Sequence, residues 1–279
     1  MSTAPFPSPT KTWHTTTYAS IDPELPQLSA KGKFVVVTGG GSGVGPAIVR
    51  AFARAGAVHI GILGRTKASL VATKRSIESE FPNVAIHVAV ADISSESAVN
   101  TAFSTFRSLS GGRPVDIFVN NAAYLPDPTP AKDASVDEWW RGYEVNVKGS
   151  LILTQAFLNT AVSKDAVLIN VSTAGVHVPV QYLPGLSSYS SSKLAAVKLF
   201  DYIQQENPGI RVISVHPGVI ATEMNTKSAA GGVRLSFDDG EFLKGKLVWS
   251  NWDVDELKAK AEEVKNSSML TINLDGWMG

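Results

Sequence analysis

Three glycines are spaced in a way that suits the binding of a phosphate group. Gly39, Gly43 and Gly45 follow the β-branched run 34–37 and open a helical stretch at 47–55. Glycine permits positive φ and close approach of a pyrophosphate, and the N–H groups at a helix N-terminus favour the anion. A tight turn that binds nothing is the alternative, but the flanking strand and helix favour a dinucleotide. The expected contacts in this loop are Gly39, Ser42, Gly43, Val44 and Gly45.

The type of dinucleotide is indicated by the residues after the second apolar run. An NAD site usually has Asp or Glu there, about 20 residues beyond the glycines, to bind the ribose 2′-OH. In this chain the place is taken by Gly64 and Arg65. No carboxylate is present to repel a 2′-phosphate, and a guanidinium is suited to bind one. We therefore expect NADP(H), with NAD(H) as the alternative if Arg65 is only a solvated charge at a helix start.

Strands and helices are predicted to alternate from residue 33 onward. Strands are predicted at 34–37, 59–63, 84–90, 115–119, 166–171, 211–215 and near 269–274, and helices at 47–55, 67–80, 95–108, 135–160, 188–206 and 253–265. Continuous apolar strands separated by helices are typical of a parallel sheet buried on both faces. The pattern predicts an α/β fold, a Rossmann-type doubly wound parallel sheet of about seven strands with helices on both faces.

The chain is expected to hold one domain. Residues 1–31 contain five prolines and little apolar periodicity, which predicts an extended N-terminal arm. Residues 32–279 are predicted to form a single dinucleotide-binding catalytic domain. The irregular stretch 223–252 is interpreted as a substrate lid region.

Composition argues against several classes of function. Lys plus Arg and Asp plus Glu are 25 each, so the net charge is zero and nucleic acid is not an expected partner. The chain has no cysteine, and its five histidines lie apart without metal-ligand spacing, so no metal site is expected. No apolar run approaches the roughly 20 residues that span a bilayer. The N-terminus lacks the apolar core of a signal peptide, so a cytoplasmic location without membrane contact is expected.

Residues farther along the chain complete a recognisable set. It comprises Thr38-Gly39 with Gly43 and Gly45, Asn120-Asn121-Ala122-Ala123, Asn146, Tyr189 and Lys193 four residues apart, and Pro217-Gly218. In order and approximate spacing this set, over about 33–222, resembles the compact single-domain branch of the short-chain dehydrogenase/reductase family. The stretch 31–33 after a proline-rich arm, together with 249–257, resembles fungal members often found in secondary metabolism.

The resemblance implies hydride transfer with Tyr189 as general acid/base. A free phenol has a pKa near ~10, which is poorly matched to neutral pH. Lys193 shares a helix face with Tyr189, so its ammonium is expected to lower the pKa of the phenol. In the family the same lysine also binds the nicotinamide ribose. Asn146 is similar to the helix asparagine that holds a proton-relay water near that lysine.

The hydroxyl that orients the substrate oxygen has two candidates. The family places a serine at the end of the fifth strand. Alignment on Asn170 selects Thr173, whereas alignment on Gly175 selects Ser172. We favour Thr173, because strand register is harder to shift than the loop that follows. Threonine is bulkier and stiffer at χ1, which favours a narrower substrate fit.

Further cofactor contacts follow from the resemblance alone. Asp92 is similar to the residue that bonds the adenine amino group, or it caps the next helix, or it does both. Asn120 is similar to the residue near the adenine ribose, or it is a structural asparagine at a strand end. Backbone groups of Val219 and Ile220 are expected at the carboxamide, and Thr222 at the carboxamide or pyrophosphate.

The expected function is therefore that of an NADP(H)-dependent oxidoreductase. It would interconvert a ketone or aldehyde and an alcohol on an apolar small molecule, with 177–186 lining the pocket. An isomerase, dehydratase or cyclase on the same scaffold and a non-catalytic dinucleotide-binding protein are the alternatives, because a fold does not fix a function. By the same resemblance a homodimer or homotetramer is expected, with Trp139 and Trp140 either at its interface or in ordinary core packing.

Overall fold

The sheet consists of seven strands, and every neighbouring pair is parallel. The computed structural model describes residues 7–160, 165–218 and 238–273. The strand order is β3-β2-β1-β4-β5-β6-β7. The strands are β1 (Phe34–Thr38), β2 (His59–Gly64), β3 (Ala85–Val90), β4 (Ile117–Asn120), β5 (Val167–Val171), β6 (Arg211–His216) and β7 (Leu247–Trp249).

Helices connect the strands and cover the sheet. They are α1 (Gly45–Arg54), α2 (Lys67–Glu80), α3 (Glu96–Leu109), α4 (Val136–Tyr143), α5 (Gly149–Thr160), α6 (Ser187–Glu206), α7 (Val254–Lys258) and α8 (Ala261–Lys265). The strand order reverses between β1 and β4. In such sheets ligands bind outside the carboxyl ends of the strands at the reversal. The predicted Rossmann-type doubly wound sheet is confirmed.

The unbroken apolar strands are explained by burial on both faces. All five residues of β1 are buried. Val35 and Val37 join one core together with α1, and Phe34 and Val36 join the other together with α3 and α5. Burying one such side chain contributes about 1.5–3 kcal/mol relative to leaving it exposed. The continuous apolar run therefore fixes β1 at the centre of the layered fold, and its carboxyl end leads directly into the glycine loop.

The predicted position of the seventh strand is wrong. Residues 269–273 form a turn instead of a strand, and the edge strand is β7, which pairs with β6. The Leu247 N–H donates to the Leu270 carbonyl at 2.7 Å, so the turn lies against the start of β7. A strand of three residues is too short to show a periodic pattern, and tertiary contacts decide its place.

Two of the predicted helices are interrupted. The stretch 135–160 contains α4, a π-helical segment (Glu144–Lys148) and α5, and the stretch 253–265 divides into α7 and α8. A π turn inserts one extra residue into the hydrogen-bond ladder, and hydrophobic periodicity carries no signal for it. The π segment contains Asn146, a predicted site residue.

The arm and the lid region are described in part. From residue 7 onward the arm packs on the C-terminal segment, with an antiparallel bridge between Trp13 and Trp252. Residues 238–252 of the expected lid contain the turn Asp238–Leu243 and the strand β7, which belongs to the sheet. The rest of the expected lid, 223–237, lies outside the described residues.

Candidate active site

The glycine loop joins β1 closely to the start of α1. Gly39 and Gly43 have φ values of 66° and 58°, in the left-handed region that favours glycine. A Cβ at Gly45 would lie 2.0 Å from the carbonyl oxygen of Gly39, so only glycine fits there. Within the described chain, the N–H groups of residues 41–44 donate to no acceptor. Free N–H groups beside a helix N-terminus fit the phosphates of a dinucleotide.

Thr38 and Asn121 connect the glycine loop to the end of β4. Thr38 Oγ1 accepts from the N–H groups of Asn121 and Ala122, both at 2.9 Å. Asn121 Nδ2 donates to the Thr38 carbonyl at 2.8 Å. Neither residue was among the predicted site residues, although both act as positioning residues for the loop. The sequence signals for them are their membership in the motif set given above and a polar residue at or directly after the end of each of two buried strands.

Arg65 and Asp92 follow β2 and β3 at the same edge of the sheet. Arg65 is exposed, and one carboxylate oxygen of Asp92 accepts from Ser94 Oγ at 2.6 Å and Ser94 N at 2.9 Å. Burial acts to raise the pKa of Asp92, but these bonds and the charges of Arg65 and Arg141 hold it below its ordinary value. The expectation that Asp92 caps α3 is wrong, because Ser95 makes that cap.

Asn120 is part of a buried row of polar side chains across the sheet. Its Nδ2 donates to Ser150 Oγ at 2.9 Å and to Asn170 Oδ1 at 3.3 Å, and Asn170 Nδ2 donates to Ser214 Oγ at 3.1 Å. Asn120, Asn170 and Ser214 are register partners on β4, β5 and β6. The contacts of Asn120 are those of a structural residue at the centre of the sheet.

Asn146, in the π-helical segment, connects the end of β4 to α6. Its Oδ1 accepts from the Tyr124 N–H at 2.8 Å, and its Nδ2 donates to the Tyr124 carbonyl and to Ser192 Oγ, both at 2.9 Å. Ser192 precedes Lys193 on α6. Both N–H groups of the Asn146 side chain are therefore engaged with protein.

Tyr189 and Lys193 lie on α6, which packs on the carboxyl end of β5. Lys193 is 3% exposed, and its Nζ donates to the Val171 carbonyl at 2.8 Å. Burial lowers the pKa of Lys193 to about 8 and raises that of Tyr189 to about 12. The expected lowering of the phenol pKa is wrong for this structure. The ammonium bonds to the Val171 carbonyl, and the loss of water around the phenol dominates.

The two candidate hydroxyls differ in exposure and in bonding. Thr173 is partly exposed, and its Oγ1 accepts from the Gly175 N–H at 3.2 Å, which leaves its own proton to donate. Ser172 is 3% exposed, and its Oγ has no partner among the described residues. A Cβ at Gly175 would lie 2.8 Å from Oγ of Ser190, the residue after Tyr189. The loop after β5 therefore packs against the turn of α6 that carries Tyr189.

The structure brings most of the predicted site residues to one edge of the sheet. The glycine loop follows β1, Arg65 follows β2, Asp92 follows β3, Asn120 ends β4 and Thr173 follows β5. The side chain of Lys193 reaches the carboxyl end of β5 from α6. Three predicted cofactor contacts, Val219, Ile220 and Thr222, lie outside the described residues.

The fold and this arrangement define a class of dinucleotide-dependent enzyme, and the comparisons with known proteins identify the family. A family model described as short chain dehydrogenase matches residues 33–231. The chain belongs to the short-chain dehydrogenase/reductase family, whose members are oxidoreductases.

Individual relatives cover almost the whole chain. A short chain dehydrogenase/reductase of Claviceps purpurea is 32% identical over 289 aligned positions, covering 96% of this chain and 95% of the relative. The short chain dehydrogenase/reductase AacuD of Aspergillus aculeatus is 32% identical over 286 positions, covering 96% and 97%. Both relatives are fungal proteins, in agreement with the resemblance of residues 31–33 and 249–257 to fungal members of the family.

Solved structures support the same assignment. The L-sorbose reductase of Gluconobacter frateurii, solved with NADPH and L-sorbose, matches with a TM-score of 0.63 and 27% identity, covering 71% of this chain and 73% of that one. Levodione reductase matches with a TM-score of 0.64 and 25% identity, covering 70% and 74%. Across the described ranges, none of the helices has both the length and the hydropathy of a membrane span.

Proposed function

We propose that this protein is an NADP(H)-dependent oxidoreductase that reduces a carbonyl group of an apolar small molecule, or oxidises the corresponding alcohol. The observation that carries the proposal is the position of Lys193. Its buried ammonium is bonded to the carboxyl end of β5, on the helix that also carries Tyr189. Bound NADP(H) would supply or accept the hydride.

Tyr189 is proposed to move the proton. With a pKa raised to about 12 the phenol is protonated at neutral pH, so it can donate to a substrate oxygen during reduction. Lys193, with a pKa of about 8, carries a positive charge at neutral pH. That charge, four residues along the same helix, favours the phenolate that remains after proton transfer.

Thr173 is proposed to bind the substrate oxygen. Its hydroxyl is partly exposed and keeps a free proton, whereas the Ser172 hydroxyl is buried. A donor aimed at an oxygen that gains negative charge stabilises the transition state more than the ground state. Thr173 also begins the loop that packs against α6 beside Tyr189. The segments that carry Thr173 and Tyr189 are therefore in contact.

The residues at the adenosine end fit NADP(H). The free N–H groups of residues 41–44 would hold the pyrophosphate, and the second carboxylate oxygen of Asp92 accepts no bond from the described residues. Arg65 is exposed and has no ion pair within the described ranges, so its guanidinium is available for a 2′-phosphate. NAD(H) lacks that phosphate and would gain nothing from Arg65.

The surroundings of the site favour an apolar substrate and a second copy of the chain. Val180 and Tyr182, in the segment between Thr173 and Tyr189, are 86% and 60% exposed. Other exposed apolar side chains lie on α4, α5 and α6, namely Trp140, Leu151, Leu194 and Tyr202. Apolar side chains of this kind on neighbouring helices suit a homo-oligomer. The cytoplasmic location and the role in secondary metabolism remain predictions of the sequence.

The experiment that tests the proposed function follows the loss of NADPH absorbance with a panel of alicyclic and aryl ketones. We expect Tyr189→Phe to lower kcat by about 10²–10⁴-fold, the usual contribution of a positioned proton donor, while NADPH binding is unchanged. Tyr202→Phe is the matched control, because Tyr202 is an exposed tyrosine on the same helix. Equal rates in the wild type and Tyr189→Phe would contradict the proposal. Binding of NADPH without turnover of any ketone would favour non-redox chemistry on this scaffold.

A further inference from the structure

Residues 11–14 of the N-terminal arm are bonded to the segment that follows β7. The His14 N–H donates to the Asn251 carbonyl at 2.8 Å, and Asn251 Nδ2 donates to the His14 carbonyl at 2.7 Å. His14 Nε2 lies 2.7 Å from the Asp253 carboxylate. The carboxylate of Glu256 accepts from the backbone N–H groups of Lys11 at 2.6 Å and Thr12 at 3.0 Å. These contacts hold residues 11–14 in one position.

Trp13 is the aromatic contact between this arm and the sheet. Its side chain is 9% exposed and meets the ring of Trp249 edge-on, with 5.6 Å between centroids and 63° between planes. Trp249 is the last residue of β7 and is itself buried. The ring of Trp252 stacks on that of Trp249, with 6.1 Å between centroids. The Trp249 ring is therefore fixed by the arm and by its own segment together.

Trp249 also contacts the loop between Thr173 and Tyr189. Its Nε1 donates to His177 Nε2 at 3.0 Å, and its ring meets the buried His216 ring edge-on at 4.7 Å. His177 directly follows the short turn Ala174–Val176 that Thr173 begins. A continuous chain of contacts therefore runs from Trp13 through Trp249 to the substrate-side loop, which we define as residues 174–186.

We propose that the N-terminal arm is a strap that sets the position of the substrate-side loop, with Trp13, Trp249 and His177 as positioning residues. The loop is also held by Val176, which is buried in a cluster with Val197 and Leu247, and by Gly175, which lies against Ser190 on α6. Its backbone bonds are mainly turns within the loop, supplemented by the Thr129 N–H donating to the Gly185 carbonyl at 3.1 Å. Its residues Val180 and Tyr182 are exposed. The Trp249–His177 hydrogen bond joins this loop to β7 and, through the Trp249 ring, to Trp13 of the arm.

Hydrogen exchange of the whole protein tests the strap directly. We expect Trp13→Ala to speed exchange of the backbone amides in 174–178 by at least about fivefold, because loss of the Trp13 contact frees Trp249 and weakens its bond to His177. Exchange in β1 should stay as in the wild type, which shows that the fold is intact. Faster exchange confined to the arm and to 247–256 would overturn the proposal.

Two further variants separate the strap from a general loss of stability. Trp249→Phe keeps a ring against Trp13 but removes the N–H donated to His177, so exchange should rise in 174–178 and stay unchanged in residues 10–16. This variant decides the question even if Trp13→Ala fails to fold, and unchanged exchange in 174–178 would overturn the proposal. Glu24→Ala is the control, because Glu24 links the arm to α1 through Arg54 and does not contact Trp249.

An activity measurement adds a readout that stability alone would not move, and this part rests on the proposed function. With a ketone from the panel, Trp13→Ala should raise KM by about tenfold, keep kcat within about twofold and leave the NADPH dissociation constant unchanged. An equal loss in NADPH affinity and in ketone KM would contradict a role in positioning the loop. If no ketone is turned over, the proposed function fails while the exchange result still decides the strap.

Discussion

Ser172 and Thr173 are neighbours in sequence, but their hydroxyl groups lie in different environments. Thr173 keeps a free proton at the carboxyl edge of the sheet, where the loop after β5 meets α6. Ser172 is buried, and its Oγ has no partner among the described residues. A buried hydroxyl without a partner costs free energy of folding, whereas an exposed one does not. On this difference we base the proposal that Thr173, and not Ser172, binds the substrate oxygen.

We predict that removing the Thr173 hydroxyl lowers kcat/KM strongly, whereas removing the Ser172 hydroxyl does not. Thr173→Val should lower kcat/KM by about 10²–10³-fold, the usual loss when one donor to a developing negative charge is removed. Ser172→Ala should keep kcat/KM near the wild-type value and should not lower the unfolding temperature, because it removes an unpaired polar group that costs about 1–3 kcal/mol. Steady-state kinetics and thermal unfolding of both variants measure this. A large kinetic loss in Ser172→Ala alone would show that the hydroxyl was assigned to the wrong residue.

At the level of secondary structure, the pairing of β2 with β3 brings together two histidines, His59 and His87, which are 28 positions apart in the sequence. His59 Nδ1 and His87 Nε2 are 3.0 Å apart, with stacked rings 5.3 Å between centroids. One nitrogen donates and the other accepts, so the bond requires the accepting ring to be neutral and is lost when both rings are protonated. Burial lowers the pKa of both, with Arg113 adding to the effect on His59, and His59 and Lys74 adding to that on His87.

This pair predicts a loss of stability on mild acidification. Because the folded pKa values lie below the ordinary value near 6.5, the unfolded chain binds more protons, and stability falls as pH drops through that value. Replacing both residues, as in His59→Val with His87→Val, should reduce the slope of the free energy of unfolding against pH between about 7 and 5.5, and the slope that remains comes in part from His177 and His216, whose pKa values burial also lowers. Urea unfolding at a series of pH values measures the slope. Equal slopes in the wild type and the double variant would refute the assignment.

The sequence was sufficient where local pattern and tertiary structure agree. β1 and the glycine loop are fixed by a buried run followed by glycines that no other residue can replace, so both were predictable. The strand β7 was not, because its three residues form a strand only through pairing with β6 and contact with Leu270. The π segment at Asn146 and the bond from Lys193 to Val171 also depend on how α6 packs against the sheet. Spacing places Tyr189 and Lys193 on one face but does not show which atom the ammonium meets.

For the molecule as a whole, the proposed cofactor contacts come from segments far apart in sequence. The glycine loop, Arg65, Asp92 and Lys193 follow or contact four different strands, from β1 to β5. A ligand that touches all of these segments binds the folded chain and not the unfolded one, so its binding free energy adds to stability. Cofactor preference is therefore measurable as a difference in unfolding temperature, without any substrate.

We predict that NADPH at about 100 times its dissociation constant stabilises the protein by about 2.7 kcal/mol, which raises the unfolding temperature by about 4–6 °C. NADH at the same concentration should stabilise it by at least about 1.4 kcal/mol less, corresponding to tenfold weaker binding. Arg65→Ala should remove that difference, because it removes the guanidinium proposed for the 2′-phosphate. Arg75 is an exposed arginine farther along α2, and Arg75→Ala should keep the difference between NADPH and NADH.

Equal or greater stabilisation by NADH would show that the cofactor proposal is wrong and would make alcohol oxidation with NAD the better hypothesis. If neither nucleotide shifts the unfolding temperature, the free N–H groups of the glycine loop are only those of a tight turn.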